Sequence, residues 1–357
     1  MTQKTHQINF HFFDIGGGDA IFIRFLGDDS KWHNILVDGG YGREYKNAFG
    51  PLIREIVSCE EEIEKWIISH IDRDHIGAVK GFIEDKKIKN KPDVVKKFLF
   101  NHSPERIKES NGKISVGDGI ILRNFLTKIG LLSVVPINTT VEPIECFGFK
   151  MTILSPTPEK EAIATELWKE EESKGKIGRT ELQSDHKKSI EELKSAKFNM
   201  DTDLVNGSSI AFLAEFKEIK ALLLADSHPS DVVDSLNSLG FSKDNPIKVE
   251  FMQLAHHGSK ANTSPELLEV VQTNSYIITG NGIHNRHPDK EAIVRVLTNK
   301  NRNSENVNIH FVCDTNELRN IFKVDKCAVE SYSFDCSYSQ LGLDSKILSY
   351  LPLTEEI

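Results

Sequence analysis

The chain has 357 residues, of which 39% are hydrophobic and 27% are charged, the composition of a globular protein. Its formal net charge of −9 provides no overall basic field for a polyanion, so a nucleic-acid partner would need a local basic groove or bound cations. The five cysteines are odd in number and form no C-x-x-C pair, which argues against a disulfide framework and a zinc ribbon. No apolar run approaches the roughly 20 residues of a membrane span, and the N-terminus lacks a secretory signal, so we expect a cytoplasmic protein.

The first hundred residues predict a hairpin followed by alternating strands and helices. "INFHFFDIGGGDAIFIRFLG" alternates apolar and polar residues on both sides of Gly16 to Gly18, which is typical of a hairpin with glycines at its connection. A strand follows the glycines, so they are not a dinucleotide-binding fingerprint. "HNILVDGG" is predicted as a strand ending on Asp38, and "EKWIISH" as a strand ending on His70. "IGAVKGFIEDKKI" has the period of a helix, and "VVKKFLFNHS" is a strand ending near His102.

The second half repeats the same rhythm after one compositional break. Residues 160–203 are rich in Glu, Lys and Ser, and their Leu and Ile spacing predicts surface helices, either an insertion or lid or, alternatively, a disordered linker. Then "IKALLLADS", "VEFMQLAHHGS" and "SYIITGNG" each precede a helical segment. We therefore expect one α/β domain over 1–357, with its core at about 8–300 and closing strands in 305–357.

The predicted strand ends carry an unusual number of imidazoles and carboxylates. In α/β layered folds, ligands bind beyond the carboxyl ends of the strands, where separate segments converge. Clustered carboxylates would repel one another there, and divalent cations would remove that repulsion. The spacing His-x-Asp-x-Asp-His favours metal, although an isolated aspartate before a helix is also a common cap. The candidates are Asp38, His70, Asp72, Asp74, His75, Asp226, His256, His257, His284 and His287.

Six segments, in order along roughly residues 8–300, resemble motifs of one hydrolase superfamily. They are "FFDIGGGDAIFI", "ILVDGG", "SHIDRDHIGA", "NGSSIAFL", "LLLADS" and "QLAHHGSKANTS". Together they are similar to the metallo-β-lactamase superfamily, in particular the branch typified by the hydrolase domain of the DNA-uptake competence protein ComEC. The resemblance implies an αββα sandwich with a dinuclear metal site at one edge.

The resemblance also implies roles for individual residues. It assigns metal binding to His70, Asp72, Asp74, His75, Asp226 and His257. It implies that Asp38 orients these ligands and does not itself bind metal. His256 would contact a metal ligand or the substrate. Which of His256 and His257 binds metal stays open. Many members of the superfamily supply a further histidine to the first metal from the segment that reads "DTDLVNGSS" here. Asn206, or less readily Asp203, would take the place of this histidine, or the position stays open. His102 is a competing candidate.

Asp72 stands where lactamases and thioester hydrolases usually carry histidine. An additional carboxylate makes a site harder and more anionic, which shifts preference from zinc toward manganese or a mixed pair. We therefore expect two divalent ions, zinc or manganese. The same substitution, which is normal in the ComEC-like branch, favours phosphodiesters as substrates.

The sequence thus predicts a metal-dependent phosphodiesterase or nuclease with a bridging hydroxide as nucleophile. Asp74, His256 and His287 are the expected catalytic residues, and Ser259, Lys260 and His284 the expected substrate contacts. The expected partner is a nucleic acid or nucleotide, with no membrane. Two alternatives stay open: a thioester or amide hydrolase, and a scaffold subunit of a multi-protein system with conditional activity.

Overall fold

The computed structural model describes residues 7–103, 116–133, 135–174, 184–302, 306–339 and 345–350. Parts of the predicted insertion (175–183) and of the predicted closing strands (340–344 and 351–357) lie outside the described residues. The strands are β1 (Ile8–Phe13), β2 (Ala20–Leu26), β3 (Trp32–Asp38), β4 (Ile63–Ile68), β5 (Phe98–Phe100), β6 (Ile144–Cys146), β7 (Phe149–Ser155), β8 (Ala211–Phe216), β9 (Ile219–Leu223), β10 (Ile247–Lys248), β11 (Phe251–Gln253), β12 (Val271–Gln272), β13 (Ser275–Ile278), β14 (Val307–Phe311), β15 (Phe334–Ser337) and β16 (Ser345–Tyr350).

Helices follow most strands of the second half, as the sequence rhythm predicts. They are α1 (Phe49–Ser58), α2 (Arg73–Ile76), α3 (Ala78–Glu84), α4 (Lys91–Val94), α5 (Val116–Ile129), α6 (Pro158–Lys174), α7 (Ile190–Leu193), α8 (Pro229–Ser238), α9 (Ala255–Gly258), α10 (Pro265–Val270), α11 (Lys290–Thr298), α12 (Asn316–Arg319) and α13 (Ala328–Tyr332), with short 3-10 turns at Gly42–Lys46, Asn206–Ser208 and His284–Arg286. Within the described residues, no helix is both long enough and apolar enough to cross a membrane.

Two mixed sheets form the centre of the protein. Sheet one has the strand order β16-β1-β2-β3-β4-β5, and sheet two has the order β15-β14-β13-β11-β9-β8-β7-β6. In sheet one β3, β4 and β5 are parallel, and in sheet two β9, β11, β13, β14 and β15 are parallel. The remaining neighbours pair antiparallel, including the predicted β1–β2 hairpin.

The two sheets face each other across an apolar layer. Phe10 of β1 meets Phe251 of β11 edge to face, with ring centroids 4.9 Å apart. Burying one such side chain contributes about 1.5–3 kcal/mol, so this layer is a main source of stability. The outer face of sheet one packs on α1, α3 and α5, and that of sheet two on α8, α10 and α11. The αββα sandwich implied by the sequence resemblance is therefore confirmed.

The glycines between β1 and β2 allow this hairpin to approach the loop after β4. Gly18 has φ of 107°, and a Cβ on it would lie 2.4 Å from the carbonyl oxygen of Asp74. The next residue, Asp19, donates its N–H to that oxygen at 3.0 Å. A side chain at position 18 would force the two loops apart.

The predicted insertion contains helices and packs along the same edge of the sandwich. Its helix α6 is joined to the start of α8 through Lys160, whose Nζ lies 2.6 Å from Asp231. Farther on, Asp185 accepts hydrogen bonds from the N–H groups of Lys290 and Glu291 at 2.8 and 2.9 Å and so caps α11. Whether the segment acts as a lid stays a prediction.

Candidate metal centre

The His70–His75 loop begins where β4 ends and turns at once into α2. Asp72 has extended backbone (φ −68°, ψ 144°), and its carbonyl accepts the N–H groups of His75 and Ile76 at 2.9 and 3.0 Å. This single turn brings Asp74 and His75 inward, where both are buried, while Asp72 is half-buried. The loop therefore presents imidazoles and carboxylates together at the carboxyl edge of sheet one.

Asp226 lies in the middle of the imidazoles and separates them into two pairs. Its Oδ1 is 3.3 Å from His75 Nε2 and 3.7 Å from His257 Nε2. Its Oδ2 is 3.8 Å from His70 Nε2 and 3.6 Å from His256 Nε2. Asp226 is 2% exposed and follows β9, at the corresponding edge of sheet two. One carboxylate thus faces two separate sets of nitrogen donors.

A second carboxylate, that of Asp74, joins the Oδ1 side of Asp226. Asp74 Oδ2 lies 3.5 Å from His257 Nε2, and the Nε2 atoms of His257 and His75 are 3.3 Å apart. Two imidazole nitrogens that face each other at this distance beside carboxylates need a proton or a cation between them. His257 is thus placed among the candidate ligands, as the sequence favours, and its role stays a prediction.

Asp38 contacts the far side of His75. Its Oδ2 is 2.8 Å from His75 Nδ1, and its two oxygens accept the N–H and the hydroxyl of Ser69 at 2.7 and 2.6 Å. The carboxylate fixes His75 with Nδ1 as the protonated nitrogen, which leaves Nε2 free to act as a ligand. This geometry fits the orienting role expected for Asp38.

Asp19 is a buried member of the cluster that the sequence reasoning missed. It forms, with His75, Asp226 and His257, a group whose ligand atoms all lie within 4.8 Å of one another. Its Oδ1 is 3.4 Å from His257 Nδ1, its Oδ2 is 3.9 Å from His75 Nδ1, and Gln253 donates to that Oδ2 at 2.6 Å. Asp19 therefore touches the rear nitrogens of both rings. Its position directly before β2, whose first residue Ala20 pairs with Asp38, was the available signal.

His256 stands on the other side of Asp226, in a polar surround. Its Nδ1 is 3.1 Å from Asn262 Oδ1 and 3.5 Å from Asp201 Oδ2. Asn206 donates to Asp201 at 2.8 Å, and its Nδ2 lies 3.4 Å from the same imidazole nitrogen. Asp201 and Asn262 were also missed, because amides and an isolated acid in a loop carry no pattern. They orient His256 with Nε2 toward Asp226.

Of the three candidates for the open histidine station, only Asn206 contacts a residue of the cluster. The exposed Asp203 uses Oδ1 to accept the N–H groups of Val205 and Asn206 at 2.8 and 3.2 Å, so it caps the 3-10 turn. Both ring nitrogens of His102 face backbone carbonyls, those of Ser103 at 3.0 Å and Ser133 at 2.7 Å. These contacts occupy Asp203 and His102 elsewhere.

The electrostatics of the cluster favour ionised carboxylates. Burial alone would raise the pKa of Asp226, but the charges of His256, His257 and His75 outweigh it and hold the pKa well below its usual range. Burial lowers the pKa of His257, yet Asp226, Asp19 and Asp74 together raise it to about 10. The protein without metal thus holds protons where a cation would otherwise sit.

The donor set fits divalent metal. Buried polar atoms without a hydrogen-bond partner are costly and uncommon in proteins. In this cluster the atoms in that state, among the described residues, are Asp19 Oδ1, His70 Nε2, Asn206 Oδ1 and Asp226 Oδ1. Imidazole nitrogens and carboxylate oxygens are suitable ligands for zinc or manganese, and a cation would satisfy them.

The four residues predicted to act on the substrate differ in burial and in their contacts. His287 is buried with its ring 4.8 Å from that of His256, and its Nδ1 is 3.4 Å from Asp289. Ser259 is buried, and its Oγ accepts the N–H of Ala261 at 3.1 Å. Lys260 is half-buried, with Nζ 3.7 Å from Asp289. His284 is exposed and has its ring 5.8 Å from that of Tyr41.

Comparison with known proteins gives little beyond this geometry. No protein-family model matches the chain, and no curated protein matches it. Among solved structures the chain is similar to CmlA, a diiron β-hydroxylase from Streptomyces venezuelae, at 14% identity and a TM-score of 0.42. The similarity covers 98% of this chain and 55% of that one, so the chain spans about half the length of the structure it matches.

Proposed function

We propose that the chain is a metal-dependent hydrolase of phosphodiester bonds, with two zinc or manganese ions. The observation that supports this most is the position of Asp226, whose two oxygens face separate imidazole pairs at 3.3–3.8 Å. Asp74, His75 and His257 would hold one ion and His70, with Asp72 and Asn206, the other. His256 lies on the His70 side, so it is a further candidate ligand there.

Two bound ions would stabilise the attacking and the leaving oxygen of an in-line displacement at phosphorus. The chain's own residues contribute orientation and burial. Asp38 and Asp19 contact the rear nitrogens of the imidazoles, Nδ1 of His75 and of His257. Burial separates the cluster from bulk solvent, which strengthens the electrostatic contacts inside it.

His287 is suited to bind a phosphate oxygen. Burial lowers its pKa despite the contact with Asp289, so the neutral ring predominates near neutral pH. A neutral imidazole that turns an N–H toward the substrate donates one hydrogen bond without bringing a charge. This favours a phosphate contact over the alternative role of a cationic acid for the leaving group.

The test is hydrolysis of bis-p-nitrophenyl phosphate and of short oligonucleotides by protein loaded with zinc or manganese. We expect turnover that EDTA abolishes and that Asp226→Asn lowers by more than about 100-fold, because this carboxylate faces both ion positions. Asp234→Asn, at an exposed position of α8, is the matched control and should retain activity. Turnover of thioesters or amides with none of diesters, or full activity of Asp226→Asn, would refute the proposal.

A further inference from the structure

A basic cleft lies beside the metal centre, on the other side of α2. It has a volume of 920 Å³ and is bounded by the 3-10 turn at Gly42–Lys46, α1, α2, α3 and α5. Its cationic lining residues are Lys46, Arg54, Arg73, Lys80, Lys86 and Lys87. We refer to it as the basic cleft.

The charge of the basic cleft is opposite to that of the whole chain. Six cations line it against three carboxylates, Glu84, Asp85 and Asp118, a local balance of +3 in a chain with a formal net charge of −9. A concave surface of one sign concentrates counter-ions of the other sign and guides them inward. The cleft is therefore suited to an anion.

The carboxylates in the lining are engaged by only some of the cations. Asp85 accepts a hydrogen bond from Arg54 at 2.6 Å and one from the hydroxyl of Tyr45 at 3.0 Å. Glu84 lies 3.9 Å from Lys80. Within the described part of the chain, the side chains of the remaining three lysines and of Arg73 form no ion pair within 4.0 Å. The backbone N–H of Lys87 donates to Asp85 at 2.9 Å, and the charge of Arg73 acts on Asp118. Those three lysines are exposed, so their charges face solvent.

The basic cleft and the metal centre share α2 as a wall. Arg73 lines the cleft, while its neighbour Asp74 is buried in the cluster beside His257. A chain of phosphates bound along the cleft would therefore pass next to the centre. The volume lies near the upper end of the roughly 300–1,000 Å³ of ligand pockets, which suits a few nucleotides rather than a duplex.

We propose that the basic cleft binds the phosphate backbone of single-stranded nucleic acid and guides it to the metal centre. This rests on the proposed function for its substrate class. Among the described residues of the lining, the one aromatic residue is Tyr45, which is buried and hydrogen-bonded to Asp85, so these residues present no ring for stacking with bases. Binding is therefore electrostatic and insensitive to base sequence.

The experiment measures binding of a fluorescein-labelled oligothymidylate by fluorescence anisotropy, in EDTA and over a series of NaCl concentrations. The affinity of the unmodified protein should fall with salt. The double variant Lys86→Glu/Lys87→Glu should weaken binding by about tenfold or more at low salt and reduce the slope of log affinity against log salt by about 1.4. Lys46→Glu, in the 3-10 turn that borders the cleft, should weaken binding independently.

The matched control is Lys323→Glu/Lys326→Glu, which changes two exposed lysines outside the cleft and alters net charge by the same amount. We expect it to bind as the unmodified protein does, and thermal melts should show all variants folded. Equal weakening by both double variants, or by neither, would overturn the proposal. Displacement of the oligonucleotide by inorganic phosphate at matched ionic strength would also overturn it. The same holds if the cleft variants lose binding to anionic lipid vesicles but keep binding to the oligonucleotide.

Because EDTA removes turnover, the two proposals fail separately. Binding that depends on the cleft, with no hydrolysis of any diester by metal-loaded protein, contradicts the proposed function alone. Hydrolysis of bis-p-nitrophenyl phosphate, with no binding that depends on the cleft, contradicts the cleft proposal alone.

Discussion

The two sheets contribute to the metal centre in different ways. Sheet one supplies most of its donors from one loop of six residues, His70 to His75, and holds them from behind with Asp38. Sheet two supplies Asp226 after β9 and the His256–His257 pair after β11. Donors in one loop keep their spacing whatever the rest of the fold does. Donors on separate strands meet only when the sheet has formed.

The backbone reflects the same contrast. On the sheet-two side, Ala225, His256 and His257 have φ of 45°, 51° and 57°, in the left-handed region that side chains with a Cβ rarely adopt. In sheet one, Asp38 shares this conformation with φ of 53°, whereas no residue from His70 to His75 has a positive φ. Strain of this kind persists only where surrounding contacts enforce it, and it is concentrated at functional sites. Sheet two therefore presents both imidazoles of its histidine pair from a strained backbone conformation.

The largest expected effect comes from removing one imidazole on each side of Asp226. His75→Ala removes a ring that contacts Asp226, Asp38 and His257, and should lower the affinity for the ion on the Oδ1 side of Asp226 by more than about 100-fold. His256→Ala should leave that ion in place and weaken only the other. Elemental analysis and calorimetric titration with Mn²⁺ and Zn²⁺ distinguish these results. Identical losses in both variants would mean that the two sides of Asp226 do not act separately.

A smaller loss is expected when the carboxylate behind His75 is neutralised without changing its shape. Asp38→Asn keeps the size of the side chain but removes the charge that fixes the ring, so metal affinity should fall by about 10–100-fold. The exposed Asp93 provides the control, since Asp93→Asn should leave the affinity unchanged. Metal binding unaffected by Asp38→Asn would show that Ser69 and the backbone suffice to orient His75.

The contrast between the sheets also explains what the sequence could predict. The His70–His75 loop is recognisable because its donors are adjacent in sequence. An α/β layered domain follows from apolar strands that alternate with helices, and the family resemblance added the αββα order of the layers. Asp19 was missed because its partners are more than 230 residues away, Gln253 at the end of β11 and His257 in the helical turn that follows. Asp201 and Asn262 belong to loops whose sequence has no periodicity, so only the folded backbone brings them to His256.

Neutralising Asp19 tests how much this carboxylate, which the sequence did not reveal, contributes to metal binding. Because it touches the rear nitrogens of both His75 and His257, Asp19→Asn should weaken metal binding by about 10–100-fold, like Asp38→Asn. Combining the two changes measures their coupling: both act on His75, so the losses should not add. Calorimetric titration of the single and double variants provides the measurement. Strict additivity would indicate that Asp19 acts through His257 alone.

The smallest effect, measured per pH unit, is a pH dependence: stability falls as pH rises in the metal-free protein, while metal affinity increases. In the metal-free protein the pKa of His257 is raised to about 10, above the roughly 6.5 of an unfolded histidine. This group therefore contributes stability that is fully present below about pH 6.5 and is lost as pH rises toward 10. Metal must displace that proton, so apparent metal affinity rises over the same window, by at most about tenfold per pH unit for one proton. Thermal melts at pH 6.5, 8 and 9.5 provide the measurement. In EDTA the melting temperature should fall as pH rises, while the rise in melting temperature caused by Mn²⁺ should grow. A Mn²⁺-induced rise that stays constant over this range would mean that His257 binds no metal.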